Sequence, residues 1–445
     1  MAKKKNKSGQ VQAPAVSIIS LGCSKNLVDT EDLFSLLYQK MFFLTSEPEY
    51  SDIVIINTCG FIQSAIDESN EQIREILMLK DQGQIQSVYV MGCYASRAQD
   101  EIKASFPQVD GVYPLDKIVY MVKAMQEEYG FYEEQSQDAL SGIRPISATL
   151  PHYSYLKISE GCNRTCTYCT IPSIRGANVD KTVDELYSEA ASLVGRGVKE
   201  INIIAQDTTA YGIEKYGQPK LLELLQRLEK VEGLEWMRLL YAYPDHFNDG
   251  LIDLLLNSPK MLKYLDLPIQ HASSSVLKRM NRTGSFALYD DIFDKLRGAN
   301  EDFVLRTTVI IGFPGETDEE FQELYDYLEK RRFDRLGAFC YFDEKGTAAS
   351  KMKNKVPTEL AQERLDRLMT LQQNIHFEEN EKWLGRDISF IVDEVGENGV
   401  VGRTWRDAVE IDPQIFVKTD APLSPGMIAT CRVTGSNEYD LEGVM

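Results

Sequence analysis

Tyr155-Leu156-Lys157-Ile158-Ser159 leads into Gly161-Cys162-Asn163-Arg164-Thr165-Cys166-Thr167-Tyr168-Cys169, and this stretch organises the chain. The lead-in alternates polar and apolar side chains, which predicts a strand. The cysteines that follow are spaced C-x3-C-x2-C on a short polar loop. Iron–sulfur clusters are ligated by cysteine sulfur, so three close thiolates can hold three irons of a cubane. No fourth cysteine follows nearby, which leaves one iron open to chelate a small molecule through its amine and carboxylate. The competing reading is a zinc knuckle or three unrelated buried thiols. Zinc asks for four Cys or His ligands, and the only nearby histidine, His152, lies on the far side of the strand.

The spacing at the mouth of a first strand resembles the radical S-adenosylmethionine (SAM) superfamily. That resemblance implies a 4Fe–4S cluster bound to SAM, one-electron cleavage of the sulfonium and a 5′-deoxyadenosyl radical.

Composition sets outer limits. A chain of 445 residues exceeds what one core supports and suggests about three domains. With 43% hydrophobic and 26% charged residues it reads as an ordinary globular protein. It has no apolar run of 18 residues or more, so no membrane span is expected. The basic start, Met1 to Gln10, lacks the apolar core of a signal peptide and reads as a solvated tail, with a weak contact to ribosomal RNA as the sharper alternative. A formal charge of −20 disfavours a large nucleic-acid footprint and favours a basic partner. Eight cysteines with no secretion signal indicate a reducing, cytoplasmic setting in which thiols serve as ligands.

Three earlier segments share one design. Val16–Cys23, Asp52–Cys59 and Ser87–Cys93 are apolar runs that each end in cysteine, with helical patterns from Lys25 to about Lys40 and from Ile62 to about Leu79 between them. A βαβα order predicts a parallel sheet with ligands gathered at the carboxyl ends of its strands. Cys23, Cys59 and Cys93 lie 36 and 34 residues apart, one βα unit each, so neighbouring strands would bring the three thiols together. Convergent thiolates without a fourth protein ligand again suggest a cluster with an open iron; ordinary buried cysteines at strand ends are the plainer alternative. Leu21-Gly22-Cys23-Ser24-Lys25-Asn26, Asn57-Thr58-Cys59 and Met91-Gly92-Cys93-Tyr94 resemble the N-terminal domain of the methylthiotransferases. In that family the domain carries a second 4Fe–4S cluster implicated in supplying sulfur. The family's usual proline after the first cysteine is Ser24 here, a loop residue and not a ligand.

After a polar linker at Glu133–Ala148, the centre alternates helix and strand. Helices are expected at Val183–Val194, Leu221–Glu229, Leu251–Asn257, Ser274–Met280 and Glu319–Leu328. Strands are expected at Glu200–Ala205, Glu235–Tyr241, Tyr264–Ile269, Phe303–Ile311 and Arg335–Phe342. With the strand before Cys162 that makes six, too few for an eight-fold barrel and matching the partial (β/α)6 barrel that the resemblance implies. The resemblance places SAM contacts at Gln206 and Asp207, in the run to Thr209, and at Thr308 and Gly312, within Thr307–Glu316. Helix capping is the alternative for the first pair. His271 and Cys340 read as structural.

Thr358 to about Trp383 forms a long helical pattern, followed by short strands at Ile388–Val392, Val409–Ile411 and Ile428–Val433. This resembles the TRAM domain, a small antiparallel β-barrel that closes methylthiotransferases, with Cys431 packing inside. From His376 to Met445 there are 14 acidic and 6 basic residues, a net of −8, which works against RNA, although a basic patch around Arg403 and Arg406 is left open.

The reading is therefore α/β in three domains: 14–132 (cluster domain), 146–376 (radical SAM core) and 379–445 (TRAM). Within the methylthiotransferases the chain resembles the branch that adds a methylthio group to the β-carbon of an aspartate in the twelfth protein of the small ribosomal subunit. The resemblance implies two 4Fe–4S clusters, held by Cys23, Cys59, Cys93 and by Cys162, Cys166, Cys169 around one cavity, with two SAM molecules and no acid–base residue. It also implies a basic ribosomal protein as substrate, free or in the assembled subunit, a one-electron donor of flavodoxin or ferredoxin type, and a sulfur donor. The tRNA adenosine methylthiotransferases are the nearest rival, and a non-catalytic Fe–S scaffold or electron carrier the rival from another class.

Overall fold

The structure is a computed structural model that describes residues 13–130, 144, 146–282 and 286–445. The N-terminal tail, and the linker apart from Arg144 and residues 146–148, lie outside the described residues. One compact unit comprises Met1–Ala148, Glu160–Asn163 and Thr170–Ala177; the other comprises Thr149–Ser159, Arg164–Cys169 and Asn178–Met445.

In the first unit a five-stranded parallel sheet runs Phe43–Leu44, Ala15–Ser20, Ile53–Thr58, Ser87–Gly92, Gly111–Tyr113. Ile53–Thr58 and Ser87–Gly92 are buried at every position, as a sheet covered on both faces requires. Val54, Ile56, Val88 and Val90 pack on one side with Ile73, Ile76 and Ile102 of helices Gln63–Asp81 and Cys93–Ser105. Ile53, Ile55, Tyr89 and Met91 pack on the other with Leu33, Leu36, Met121 and Met125 of helices Ser24–Gln39 and Ile118–Tyr129. In chain order the strands read 2-1-3-4-5, a doubly wound sheet whose switch point lies between the strands leading to Cys23 and Cys59.

The second unit holds six parallel strands in chain order, Tyr153–Lys157, Glu200–Ile204, Trp236–Leu239, Met261–Asp266, Val304–Ile311 and Arg335–Cys340, in a sheet that does not close. Leu156, Ile201, Ile203, Leu239, Leu265, Leu305 and Ile311 share one apolar core with the helices outside the sheet. Helices Val183–Gly195 and Asp318–Arg331 each start at a full capping box, Thr182 with Glu185 and Thr317 with Glu320. A fourteen-residue helix, Phe286–Ala299, fills a crossover where only Ser274–Met280 is expected.

Helix Thr358–Glu381 leads to a closed barrel of Asp387–Gly396, Gly399–Thr404, Ile415–Lys418, Leu441–Val444 and Ile428–Ser436. It is not wholly antiparallel, since Ile415–Lys418 pairs in parallel with Leu441–Val444. A closed ring of five strands cannot alternate direction throughout, so one parallel pair is obligatory. Val409–Ile411 is a turn and not a strand. Glu410 there takes a left-handed backbone, φ 67°, and accepts from the hydroxyls of Tyr153 and Tyr155 at 3.0 and 2.8 Å, tying the segment to the larger sheet. Cys431 is buried in the barrel, whereas Cys340 is only partly enclosed, on the edge strand of the open sheet.

Candidate active site

Cys23, Cys59 and Cys93 follow directly on three adjacent strands. Gly22 has φ 93°, a backbone that suits glycine, and a Cβ there would sit 3.1 Å from Cys59 Sγ. A Cβ on Gly60 would meet Tyr94 Cα at 2.5 Å and Cys93 C at 3.0 Å. The missing side chains thus let the three cysteine turns close on one another. Asn26 ties them further: its Nδ2 donates to Leu21 O at 2.9 Å and Thr58 O at 3.2 Å, and its Oδ1 accepts from Cys93 Sγ at 3.3 Å. Cys23 is exposed while Cys59 and Cys93 are buried.

Burial pushes the Cys93 thiol up to about 12, against the pull of Arg175, and raises Cys59 as well, with Cys23 adding repulsion. A lone thiolate is therefore disfavoured, and positive charge must enter before these thiols ionise. Part of it is built in. The Arg175 guanidinium, its side chain 1% exposed, donates to Asn26 Oδ1 at 2.5 Å, Asp29 Oδ2 at 2.8 Å and Glu160 Oε1 at 2.8 Å. Burial opposes its charge, but Asp29, Cys93 and Glu160 outweigh burial. Soft sulfur donors around a fixed cation suit an anionic Fe–S cluster. Among the described residues no three His, Cys, Asp or Glu side chains close on one point as ligands of a single ion would. A cubane does not ask for that, because each thiolate takes a different iron.

In the other unit the loop Arg164–Cys169 is strung between carboxyl ends of the sheet. Thr167 N donates to Met280 O at 3.0 Å, Thr167 Oγ1 to Arg279 O at 2.9 Å, and Ala349 N to Thr167 O at 2.8 Å. Arg164 is its anchor: Nε reaches Asp207 Oδ2 at 2.8 Å, Nη1 reaches Asp245 Oδ2 at 2.6 Å, and Cζ lies 3.7 Å from the Tyr243 ring centroid. Asp207 also accepts from Ala210 N and Thr209 Oγ1, so it caps the short turn Thr208–Ala210 and holds the cysteine loop at once. Gln206 stands beside it with a buried Oε1 that has no hydrogen-bond partner. Thr308 lies three residues before the end of its strand, next to Gly337 across the ladder. A Cβ on Gly312 would strike Ala361 Cβ at 2.7 Å, so its smallness admits the helix Thr358–Glu381. Asp207 thus adjoins the cysteine loop, with Gln206 next to it in the chain, while among the described residues no hydrogen bond or ion pair joins Thr308 or Gly312 to them. His271 is wholly buried, with Nδ1 accepting from Ser273 N and Nε2 3.5 Å from Glu316, as a structural histidine.

The opposite, amino ends of these strands carry the small barrel. Arg403 joins Glu200 and Asp393, His152 Nε2 lies 2.7 Å from Asp393, Tyr264 donates to Asp412 at 2.6 Å, and Arg335 pairs with Asp407. Burial alone would raise Glu200, but Arg403 and Arg238 hold it below the usual carboxylate range. The basic patch left open at Arg403 and Arg406 does not exist. Both are 2% exposed or less, consumed by the contact with the sheet.

An open six-stranded parallel sheet, a C-x3-C-x2-C loop after its first strand and a closed five-strand barrel define a radical SAM enzyme with a TRAM module. Comparison with known proteins agrees: residues 156–328 match the radical SAM superfamily, 15–114 the uncharacterized protein family UPF0004, and 384–445 the TRAM domain. The radical SAM methyltransferase TsrM of Kitasatospora setae shares the fold, with TM-score 0.57 at 14% identity over 76% of this chain and 77% of that one. Ribosomal protein uS12 methylthiotransferase RimO of Desulfitobacterium hafniense is 39% identical over 96% of this chain and 98% of its own length. The RimO proteins of Carboxydothermus hydrogenoformans, at 40%, and Geobacter sulfurreducens, at 39%, match over the same shares. The chain belongs to this family and is a radical SAM methylthiotransferase. Among the described residues no helix is long and apolar enough to cross a membrane.

Sequence reasoning overlooked Arg164, Tyr243, Asp245 and Arg175. Arg164 carried a signal, lying inside the cysteine loop itself; the others are placed by long-range contacts.

Proposed function

We propose that this chain adds a methylthio group to the β-carbon of an aspartate in ribosomal protein uS12, with two 4Fe–4S clusters and two molecules of SAM. Cys162, Cys166 and Cys169 would hold the SAM-binding cluster, and Cys23, Cys59 and Cys93 the second. When bound, such a cluster with SAM supplies one-electron cleavage of the sulfonium, and with it hydrogen removal from an unactivated carbon. The chain's own residues do the rest. Arg164 fixes the cysteine loop to Asp207 and Asp245, and Arg175 offsets negative charge beside Cys93. Gln206, Asp207, Thr308 and Gly312 are the proposed SAM contacts, and no side chain need act as acid or base. An electron donor of flavodoxin or ferredoxin type and a sulfur donor complete the reaction, in the cytoplasm.

One observation favours a protein substrate over tRNA. The TRAM match, residues 384–445, has five cations, Arg386, Arg403, Arg406, Lys418 and Arg432. Arg386 pairs with Asp302, Arg403 with Glu200 and Asp393, Arg406 with Asp334 and Arg432 with Asp387. Among the described residues that leaves Lys418, and phosphate binding needs several cations together. A chain of net charge −20 suits a basic protein better. The test is to incubate the reduced, anaerobic protein and SAM with uS12 or with tRNA and to find the methylthio mass. Modification of tRNA alone refutes the reading, and so does a fully reconstituted protein holding about four irons instead of about eight.

A further inference from the structure

Arg282, just beyond the helix Ser274–Arg279, is a largely enclosed cation of unusual surroundings. Its Nη2 donates to Pro268 O at 2.8 Å and to Tyr289 Oη at 3.1 Å, and its Nη1 lies 3.5 Å from Tyr168 Oη. Its Nε is buried without an acceptor. Its Cζ stands 4.3 Å from the centroid of the Tyr243 ring, the ring that Arg164 also covers. Among the described residues no carboxylate pairs with it, whereas Arg164 has two and Arg279 has one. Burial works against its charge, and the groups that oppose burial are the oxygens of Tyr168, Tyr289 and Tyr243 and the sulfur of Cys166. A guanidinium taken out of water with no counter-ion is costly, and contact with an aromatic face offsets that only in part. Among the described residues no anion offsets it.

We infer that the missing anion is the iron–sulfur cluster ligated through Cys166 and Cys169, with Arg282 as its counter-charge and positioning residue. The inference rests on the reading of the cysteine loop proposed above. A cubane on three thiolates is anionic, and one-electron reduction adds another negative charge. A fixed cation beside it favours the reduced form and raises the reduction potential. Tyr168 lies between Cys166 and Cys169 in the chain, so the phenol that faces Arg282 belongs to the ligand loop itself. The tyrosines present the charge without neutralising it, as a carboxylate would.

The experiment is a redox titration of anaerobic, SAM-free protein by electron paramagnetic resonance, comparing the parent with Arg282→Gln and Arg282→Lys. The cluster followed is the one whose signal changes when SAM is later added. At the potential where the parent cluster is half reduced, the reduced-to-oxidised ratio in R282Q is expected to fall about tenfold, a shift of about 59 mV to more negative potential. R282K, which keeps the charge, is expected to stay closer to the parent than to R282Q. An unchanged potential in R282Q overturns the inference. So does a variant whose only change is weaker SAM binding, for then the anion is the SAM carboxylate. If R282Q loses the cluster, R282K decides: retained iron at near-parental potential supports the counter-charge, and loss as complete as in R282Q refutes it. A parent with no SAM-sensitive signal, or one that Cys166→Ala leaves intact, defeats the cysteine-loop reading instead.

Discussion

Replacing Arg403 with methionine isolates the lock between the TRAM barrel and the amino ends of the sheet. Arg403 is 2% exposed and grips Asp393 with two nitrogens, at 2.8 and 3.0 Å, while a third reaches Glu200, which is wholly buried. Removing one member of a buried ion pair typically costs about 3–5 kcal/mol, because the remaining charge is stranded. Neither anion here is stranded outright, since Glu200 keeps Arg238 Nε at 3.3 Å and Asp393 keeps His152 at 2.7 Å. That places the loss at the low end, about 3 kcal/mol. A contact between Arg403 and the Tyr153 ring at 5.2 Å adds about 0.5 kcal/mol. For a cooperative body of this size each kcal/mol moves Tm by about 2–4 °C, so R403M should melt about 7–14 °C below the parent. Tryptophan fluorescence under anaerobic conditions reads it well, because Trp383 and Trp405 pack edge to face at 5.9 Å and Trp405 O accepts from Arg238. Adding Glu200→Gln removes one of the partly paired charges and should recover part of the loss. A melt within about 2 °C of the parent, or a double variant whose losses simply add, refutes the reasoning.

Arg164→Ala should cut SAM-dependent 5′-deoxyadenosine formation about 10–100-fold, the usual cost of losing a group that orients ligands, and Arg164→Lys should recover little because an ammonium lacks the planar fork; parental activity in the alanine variant counts against the anchor. Burial raises Asp393, but His152 and Arg403 outweigh it, and burial of Asp407 is likewise outweighed by Arg335, so both carboxyls lie below their ordinary range. Their stabilisation is therefore present above the ordinary carboxylate pKa and lost as pH falls through the folded values, so the fluorescence melt should drop below about pH 4; a drop confined to pH 7–5 would point to other groups. Gly22→Val forces a branched side chain onto φ 93° and into Cys59; on the two-cluster reading proposed above, iron per chain should fall from about eight to about four.

The repeated strand-then-cysteine pattern made the first domain legible, because strands buried on both faces are mostly apolar, as residues 53–56 are before the polar end at Asn57 and Thr58. The central strands were legible for the same reason. The two-residue strand Phe43–Leu44 is too short to show a period. The turn at Val409–Ile411 imitates a strand by its apolar–polar alternation, but hydrogen bonds between Ala408 and Asp412 close it locally, and tyrosines of a sheet more than 250 residues away hold Glu410. Arg403 and Arg406 look like surface charges for a similar reason. The partner that buries Arg403, Glu200, is 203 residues distant, and charge counted along a chain says nothing of where it is spent. The spacing of the six cysteines could be read from the sequence, as could Arg164 inside one of their loops, but Arg175, which only the fold brings to Cys93, could not.

The two ends of the open sheet treat charge differently, and that difference is testable. At the amino ends Arg403, Arg335 and Arg306 each meet a carboxylate, Arg306 through Asp412 at 3.7 Å, so the lock carries little net field. At the carboxyl ends Arg164 meets two carboxylates and Arg282 none among the described residues. Strands of five residues, such as Tyr153–Lys157 and Glu200–Ile204, put about 16 Å between the ends. Over that distance a unit charge at an effective dielectric near 20 contributes about 1 kcal/mol before screening, and the surviving ion pairs and salt reduce it further. R403M should therefore lower the melting temperature and leave the reduction potential of the SAM-binding cluster within about 20 mV of the parent, which is less than half a factor of ten in the redox ratio. R282Q should do the reverse. If R403M moves the potential as far as R282Q does, the cluster is responding to loosening of the frame, and the unpaired guanidinium loses its special claim.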